Sequence, residues 1–292
     1  CVPRSMFEKA SATNLSVSQN MVNLLAQSTA SSLYVVVGGS RGIGLAMAEA
    51  LLRRTSGSVL AASRAAPTSP ELASLSAAYS GRVHAVSCDV ERPESIAALA
   101  SKAGSISENV DAIFNVAGIL HEPATDGAAT GGGTATGGAA TGGMPERSLN
   151  AVDAEWMAKV YAVNAMGPVL VTRSLQPMLR KGSVIVNLSA RVGSIGDNGM
   201  GGWWSYRMSK SALNMATKNM ALELGRRPGA LAVSLHPGTT DTGLSKPFQK
   251  NVRPGKLFTT EYTAGKLLDV ATQLTEEQSG GFFAYDGKPI EW

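Results

Sequence analysis

The sequence predicts an α/β fold: a doubly wound parallel sheet with helices on both faces, built as a single domain. Three observations carry that expectation. Short runs rich in Val and Ile alternate along the chain with helix-like segments, the pattern of parallel strands joined by crossover helices. The runs are almost continuously apolar, as strands buried on both faces must be. The first run leads at once into Gly38-Gly39-Ser40-Arg41-Gly42-Ile43-Gly44, a glycine turn that opens a helix.

In chain order, the strand-like runs are Leu33 to Val37, Val59 to Ala62, Val83 to Val86, Ala112 to Val116, Val184 to Leu188 and Leu231 to Leu235. Helix-like segments fall between most of them, at Ile43 to Arg54, Pro70 to Tyr79, Pro93 to Ile106, Val152 to Leu179 and Tyr206 to Leu224. Near the C-terminus, Gly281-Phe282-Phe283-Ala284-Tyr285-Asp286-Gly287 reads as a last strand at the sheet's edge. Edges of that kind must be covered or paired, so a homodimer or homotetramer is expected. At 292 residues the chain could hold two domains by length, but sheets of this kind run to such a size as one, and residues 33–292 are read as a single unit.

Two segments stand outside that core. Residues 1–32 are dominated by Ser, Thr, Ala and Asn, with Arg4 and Lys9 against the single acid Glu8, a composition that suits an organelle transit peptide or its remnant as well as an ordinary flexible tail. The expected location is a chloroplast or mitochondrion on the first reading and the cytoplasm on the second. Residues 124–143 contain only Gly, Ala, Thr and Asp126 and cannot bury enough apolar surface to offset the entropy of ordering. They are expected to form a flexible, disordered insertion near the site entrance.

Composition excludes several classes. The 26 basic and 22 acidic residues form no basic run, and aromatic residues are few, so nucleic acid is not an expected partner. No apolar stretch is long enough to span a membrane, and a soluble protein is expected. Two cysteines cannot make a disulfide framework, and no metal site is read.

The glycine turn fits the start of a Rossmann-type dinucleotide site. Gly38 permits the tight turn, Gly42 lets the backbone approach a pyrophosphate, and Gly44 lets helix and strand pack closely. Far downstream, Tyr206 and Lys210 lie four apart, on one helix face. A tyrosine hydroxyl, with a reference pKa of about 10, is a poor proton donor or acceptor at neutral pH unless a nearby cation stabilises its phenolate. Lys210 can be that cation. At the end of the second strand, where an NAD site presents a carboxylate to the ribose, this chain reads Ala62-Ser63-Arg64 and has no acid before Glu71. Arg64 and Arg41 can clamp a 2'-phosphate instead, so NADP(H) is the expected cofactor.

Together these residues resemble the short-chain dehydrogenase/reductase family from about Leu33 to the C-terminus. The matching positions are the glycine turn, Asp89-Val90, Asn115-Val116-Ala117-Gly118, Asn164, the Tyr206/Lys210 pair and His236-Pro237-Gly238. The stretches Arg191 to Asn198 and Leu244 to Gln249 look like the branch related to the bacterial C-factor signalling protein. The resemblance implies Tyr206 as general acid/base, Lys210 as its modulator and a ribose ligand, and Asn164 as the anchor of a proton-relaying water. It implies that Gly38, Ser40, Arg41, Gly42, Ile43 and Gly44 cradle the cofactor phosphates. Asp89 and Val90 would meet the adenine, Asn115, Ala117 and Gly118 the ribose, and Pro237, Gly238, Thr239 and Thr242 the nicotinamide end.

The chain departs from the family pattern in three places. Val37 and Val116 replace a Thr and an Asn whose side chains make structural hydrogen bonds. More seriously, the family's substrate-orienting serine falls on Ala190, with Ser189 one residue early. Neighbouring strand residues point to opposite faces, so Ser189 serves only if the strand end is irregular; Ser194 or a water are the substitutes. Met200, Trp203, Trp204, Leu244 and Phe248 suggest an apolar or aromatic small-molecule carbonyl substrate. The expected function is an NADP(H)-dependent oxidoreductase interconverting a carbonyl and an alcohol. The alternative is a nucleotide-binding regulatory or scaffold protein with little turnover.

Overall fold

The computed structural model describes residues 27–121 and 144–292. Residues 1–26 of the tail expected over 1–32, and the insertion expected at 124–143, lie outside the described residues.

The elements run β1 (Leu33–Val37), α1 (Gly42–Arg54), β2 (Ser58–Ser63), α2 (Pro70–Ala78), β3 (Val83–Ser87), α3 (Pro93–Gly104), β4 (Val110–Asn115), α4 (Ala154–Tyr161), α5 (Gly167–Leu175), β5 (Leu179–Leu188), α6 (Trp204–Arg226), β6 (Leu231–His236), β7 (Thr239–Thr240), β8 (Leu257–Phe258), α7 (Thr260–Thr272) and β9 (Phe282–Ala284). Seven strands form a parallel sheet in the order β3-β2-β1-β4-β5-β6-β9. Each strand feeds alternate side chains into two cores. Tyr34, Val36, Phe114, Val186 and Val233 pack with α1 and α7 on one face, while Leu33, Val35, Ile113, Ile185 and Ala232 pack with α3, α5 and α6 on the other. Both faces are therefore closed, which accounts for the continuous apolar runs. Burying one Leu or Val side chain completely stabilises by about 1.5–3 kcal/mol, so the central strands are held firmly from two sides, while β3 at the edge is only partly buried.

The chain first winds outward from β1 to β3, then restarts on the other side of β1 with β4. The direction reverses between β1 and β4, and in a doubly wound sheet that is where a ligand crevice is expected, beyond the carboxyl ends of the strands. The loops after β1 and β4 are tied to the sheet: Gly38 N donates to Ala62 O at 2.7 Å, and the N–H groups of Val116 and Ala117 donate to Val37 O at 2.9 Å.

Three elements differ from expectation. The helix expected over Val152 to Leu179 is broken into α4, a π-turn at Ala162–Met166, α5 and a 3-10 turn at Gln176–Met178. Its start is Asp153, which caps α4 by accepting from Trp156 N at 2.8 Å. The interruptions coincide with Pro168 and Pro177, which lack the N–H that a continuous helix needs. Second, β5 begins at Leu179 rather than Val184, because the polar stretch Arg180 to Ser183 is carried by Ser183, whose hydroxyl donates to Val110 O at 2.7 Å across a register shift. Third, the edge strand β9 is covered by its own chain. Ala284 N donates to Lys288 O and Ile290 N to Phe282 O, each at 2.8 Å. The edge therefore gives no argument for a second copy. Exposed apolar surface lies instead along one face of α6, at Trp204, Met208, Met215 and Leu222.

Candidate active site

Tyr206 and Lys210 share the inner face of the first turns of α6 and are almost fully buried, at 8% and 3% exposure. Lys210 Nζ lies 5.6 Å from the centroid of the Tyr206 ring and donates to Leu188 O, at the end of β5, at 2.7 Å. Burial disfavours the charged form of each group. It raises the Tyr206 phenol far above its ordinary range and pushes the Lys210 ammonium down to about 7.

Asn164 joins this pair to the β4 loop. It sits in the π-turn with 0% exposure, and turns of that kind occur often at functional sites. Its Oδ1 accepts from Ile119 N at 2.8 Å, and its Nδ2 donates to Ile119 O at 2.8 Å and to Ser209 Oγ at 3.1 Å. Ser209 in turn donates to Tyr206 O at 2.8 Å. Pro168, four residues on, has no N–H to offer the Asn164 carbonyl. Gly118 lies against the same group, since a Cβ there would stand 3.3 Å from Asn164 Oδ1 and 3.6 Å from Lys210 Nζ.

The glycine turn forms the opposite end of the crevice. A Cβ on Gly44 would lie 2.1 Å from Gly38 O, so no other residue lets α1 start so close to β1. The helix begins at Gly42 with no side-chain cap and no acid in its first turn, which leaves its N-terminal N–H groups and positive dipole end available to a phosphate. A Cβ on Gly42 would meet Thr242 Cγ2 at 3.4 Å, so the loop after β6 closes over this turn. Ser40 is fixed by Ser63, whose hydroxyl donates to its Oγ at 2.8 Å. Arg41 and Arg64 are exposed, and neither joins a salt bridge among the described residues. This cradle fits a phosphorylated dinucleotide: an uncapped helix start, glycines where a side chain would intrude, and two uncommitted guanidinium groups.

Not every expected residue turns toward the crevice. Ser189 is 2% exposed and its hydroxyl donates to Asn214 Oδ1 of α6 at 2.7 Å. Ala190 is extended, at φ −147° and ψ 145°, so the strand end keeps its alternation and lacks the irregularity that Ser189 would need. Ser194, the substitute, is also buried and accepts from Asp197 N at 3.0 Å. The Asn115 side chain turns away as well, donating to Asn187 Oδ1 at 2.8 Å in a buried network that continues through Thr217 to Ser234. Asp89 Oδ1 accepts from Glu91 N at 3.1 Å, and Val90 is buried under Gly167. Pro237, Gly238 and Thr239 follow β6, with Gly238 at φ 73° pressed against the rings of Phe258 and Tyr285.

Several residues without a motif complete the site. The Trp203 ring lies 6.3 Å from Tyr206 and 4.9 Å from Phe248, and Phe248 lies 6.2 Å from His121. His121 Nε2 is 3.1 Å from Leu244 O, which ties the β4 loop to the segment after β6. These rings form an apolar wall beside the phenol. His236 Nδ1 accepts from Arg191 N at 3.2 Å, and burial together with the Arg191 charge pushes its pKa down to about 4. It stays neutral at neutral pH.

Residues 32–253 match the family model described as short chain dehydrogenase. A 1-hydroxy-2-glutathionyl-2-methyl-3-butene dehydrogenase of Rhodococcus sp. (strain AD45) is 31% identical over 206 residues, covering 70% of this chain and 78% of its own. The C-signal protein of Myxococcus xanthus is 37% identical over 147 residues, 50% of this chain and 84% of its own. Among solved structures, the NADPH-bound carbonyl reductase from chicken fatty liver is similar with a TM-score of 0.73 and 27% identity, over 91% of this chain and 100% of that one.

Proposed function

The chain belongs to the short-chain dehydrogenase family, an oxidoreductase whose chemistry is hydride transfer between carbonyl and alcohol, and from that premise we propose that it is an NADP(H)-dependent carbonyl reductase or alcohol dehydrogenase acting on apolar small molecules. The observation that carries the proposal is the burial of Tyr206 and Lys210 together on α6, with the Lys210 ammonium against Gly118 of the β4 loop.

A dinucleotide bound in the glycine cradle would supply or accept the hydride. The chain supplies everything else. Tyr206 gives its phenolic proton to the carbonyl oxygen in reduction and takes it back in oxidation. Lys210, when protonated, stabilises the phenolate left behind, a role that burial makes strong because charges interact more in a medium of low dielectric. Asn164 fixes the relation between the β4 loop and α6, and its main-chain carbonyl, to which Pro168 offers no N–H, is where a proton-relaying water would sit. Arg41 and Arg64 hold a 2'-phosphate. Trp203, Phe248 and His121 exclude water and favour a flat apolar substrate. A homodimer or homotetramer remains the proposed assembly, now through the exposed α6 stripe. The chloroplast or mitochondrial reading rests on the composition of residues 1–32 and is tested by fusing that segment to a reporter.

The direct test follows NADPH consumption by the purified chain against a panel of aliphatic and aromatic ketones, aldehydes and quinones. Turnover of at least one apolar member is expected. NADPH binding with no turnover of any carbonyl would overturn the enzymatic reading in favour of a nucleotide-binding regulatory protein, for which Ser189's commitment to Asn214 is the one favouring observation.

A further inference from the structure

Glu146 is a buried carboxylate that the chemistry above does not use. It is 7% exposed, its Oε1 accepts from the Ser205 hydroxyl, and its Oε2 has no partner among the described residues. A buried carboxylate is costly unless its charge is compensated. The compensation available here is the start of α6, two residues before Tyr206.

That helix has no cap of its own. It is 23 residues long and begins at Trp204, yet Trp203 presents no acceptor side chain and the first turn holds no acid. The first N–H groups of a helix lack intrahelical partners, and its positive end favours an anion. Glu146 brings that anion from a segment far away in sequence and joins it to the first turn through Ser205. Its main chain reinforces the link, because Glu146 O accepts from Trp203 N at 2.5 Å. Trp203 is the one non-glycine among the described residues with a positive φ, 52°, a conformation that costs on the order of 1–2 kcal/mol. Turned that way, its indole reaches both Tyr206 and Phe248.

We propose that Glu146 is a positioning residue: by clamping Trp203 and Ser205 it fixes the start of α6, and with it the direction of the Tyr206 phenol and the indole wall that a substrate meets. The proposal rests on the reading of Tyr206 as the general acid/base. Glu146 touches none of the reacting atoms, so its removal should affect turnover and leave the distant phosphate cradle alone.

The test compares the full-length wild-type chain with Glu146→Gln, Glu146→Ala and Ser205→Ala. NADPH affinity, kcat and KM for a responsive carbonyl, and amide hydrogen exchange over residues 203–209 and 215–224 are measured for each. Glu146→Ala should lower kcat about tenfold or more, as small misplacements of catalytic groups do. Its NADPH Kd should stay within about twofold, a change of under ~0.5 kcal/mol. Exchange should quicken over 203–209 and stay slow over 215–224, marking a local opening. Glu146→Gln should recover most of the loss, since its amide oxygen still accepts from Ser205, and Ser205→Ala should fall between. Unchanged kcat and exchange in Glu146→Ala overturn the proposal, and so does a loss spread evenly over both ends of α6 and over NADPH affinity. If Glu146→Ala does not fold, normal kcat and exchange in Ser205→Ala overturn it. If the wild type reduces no carbonyl, the activity reading fails by itself, and the exchange pattern still decides the clamp.

Discussion

Lys210 Nζ stands 5.6 Å from the centre of the Tyr206 ring, both side chains shut away from water and neither meeting an acidic partner among the described residues. Such a pair titrates in ways that stability can report. The Lys210 pKa falls to about 7 in the fold from an ordinary 10.5, so between those values the unfolded chain binds more protons than the folded one. Stability should therefore rise with pH across that window, by up to roughly 1.4 kcal/mol per unit, and below about 7 the contribution is flat at its least favourable value. Tyr206 shifts the other way, so its contribution falls once pH exceeds the phenol's unfolded value of 10.0. Melting temperatures of the cofactor-free protein should climb from pH 7 to about 9.5, and Lys210→Met should flatten that climb while melting higher at pH 7. A wild-type profile that falls steadily over this range would show that Lys210 is not buried as a cation.

Tyr206→Phe removes one hydroxyl and leaves the ring that packs beside Trp203. NADPH should bind normally, because the glycine turn and the arginines are untouched. Carbonyl reduction should fall by about a hundredfold or more, the scale of a lost general acid. Steady-state rates with one ketone, set beside a fluorescence titration of NADPH, check both halves. Turnover close to wild type would assign the proton to another donor.

The preference for NADPH is proposed to rest on Arg41 and Arg64, exposed at the ends of the first turn and second strand and free of salt bridges among the described residues. NADPH should bind at least about tenfold more tightly than NADH, some 1.4 kcal/mol. Arg64→Asp should reverse or abolish the difference, since a carboxylate repels a 2'-phosphate and accepts from a free 2'-hydroxyl. Equal dissociation constants in the wild-type chain would remove the arginines from the site.

The strands were legible because burial on both faces writes itself into unbroken runs such as Leu33 to Val37, and the glycine turn because a side chain at Gly44 would run into Gly38 O. Tyr206 and Lys210 were legible because helix geometry alone puts residues four apart on one face. What failed to show was tertiary. The polar stretch Arg180 to Ser183 joins β5 only through a serine bond to Val110 of another strand, and no local pattern records that. Pro168 and Pro177 do mark the breaks in the helix expected over Val152 to Leu179. Glu146 looks like any acid in a Pro-Glu-Arg loop. Only its burial against Ser205 singles it out.

The last prediction concerns Ser189 and Ala190. Ser189 donates to Asn214 Oδ1 at 2.7 Å, and Asn214 Nδ2 lies 3.4 Å from Gly193 O, so this hydroxyl secures the end of β5 to α6. Ser189→Ala should leave a buried amide oxygen without a donor and destabilise the fold by about 1–3 kcal/mol. Its effect on turnover should be no larger than that loosening explains. Ala190→Ser should behave differently. The position is half-exposed at the turn where the family carries its substrate-orienting hydroxyl, and a donor aimed at the forming oxyanion contributes up to about 10²–10³ in rate at well-organised sites. A rise in kcat of roughly tenfold or more in Ala190→Ser, without a gain in melting temperature, would mean that the missing hydroxyl limits the wild-type chain. The opposite pattern, a large loss of kcat in Ser189→Ala at unchanged stability and no gain in Ala190→Ser, would mean that Ser189 leaves Asn214 and turns to the substrate when the site is loaded.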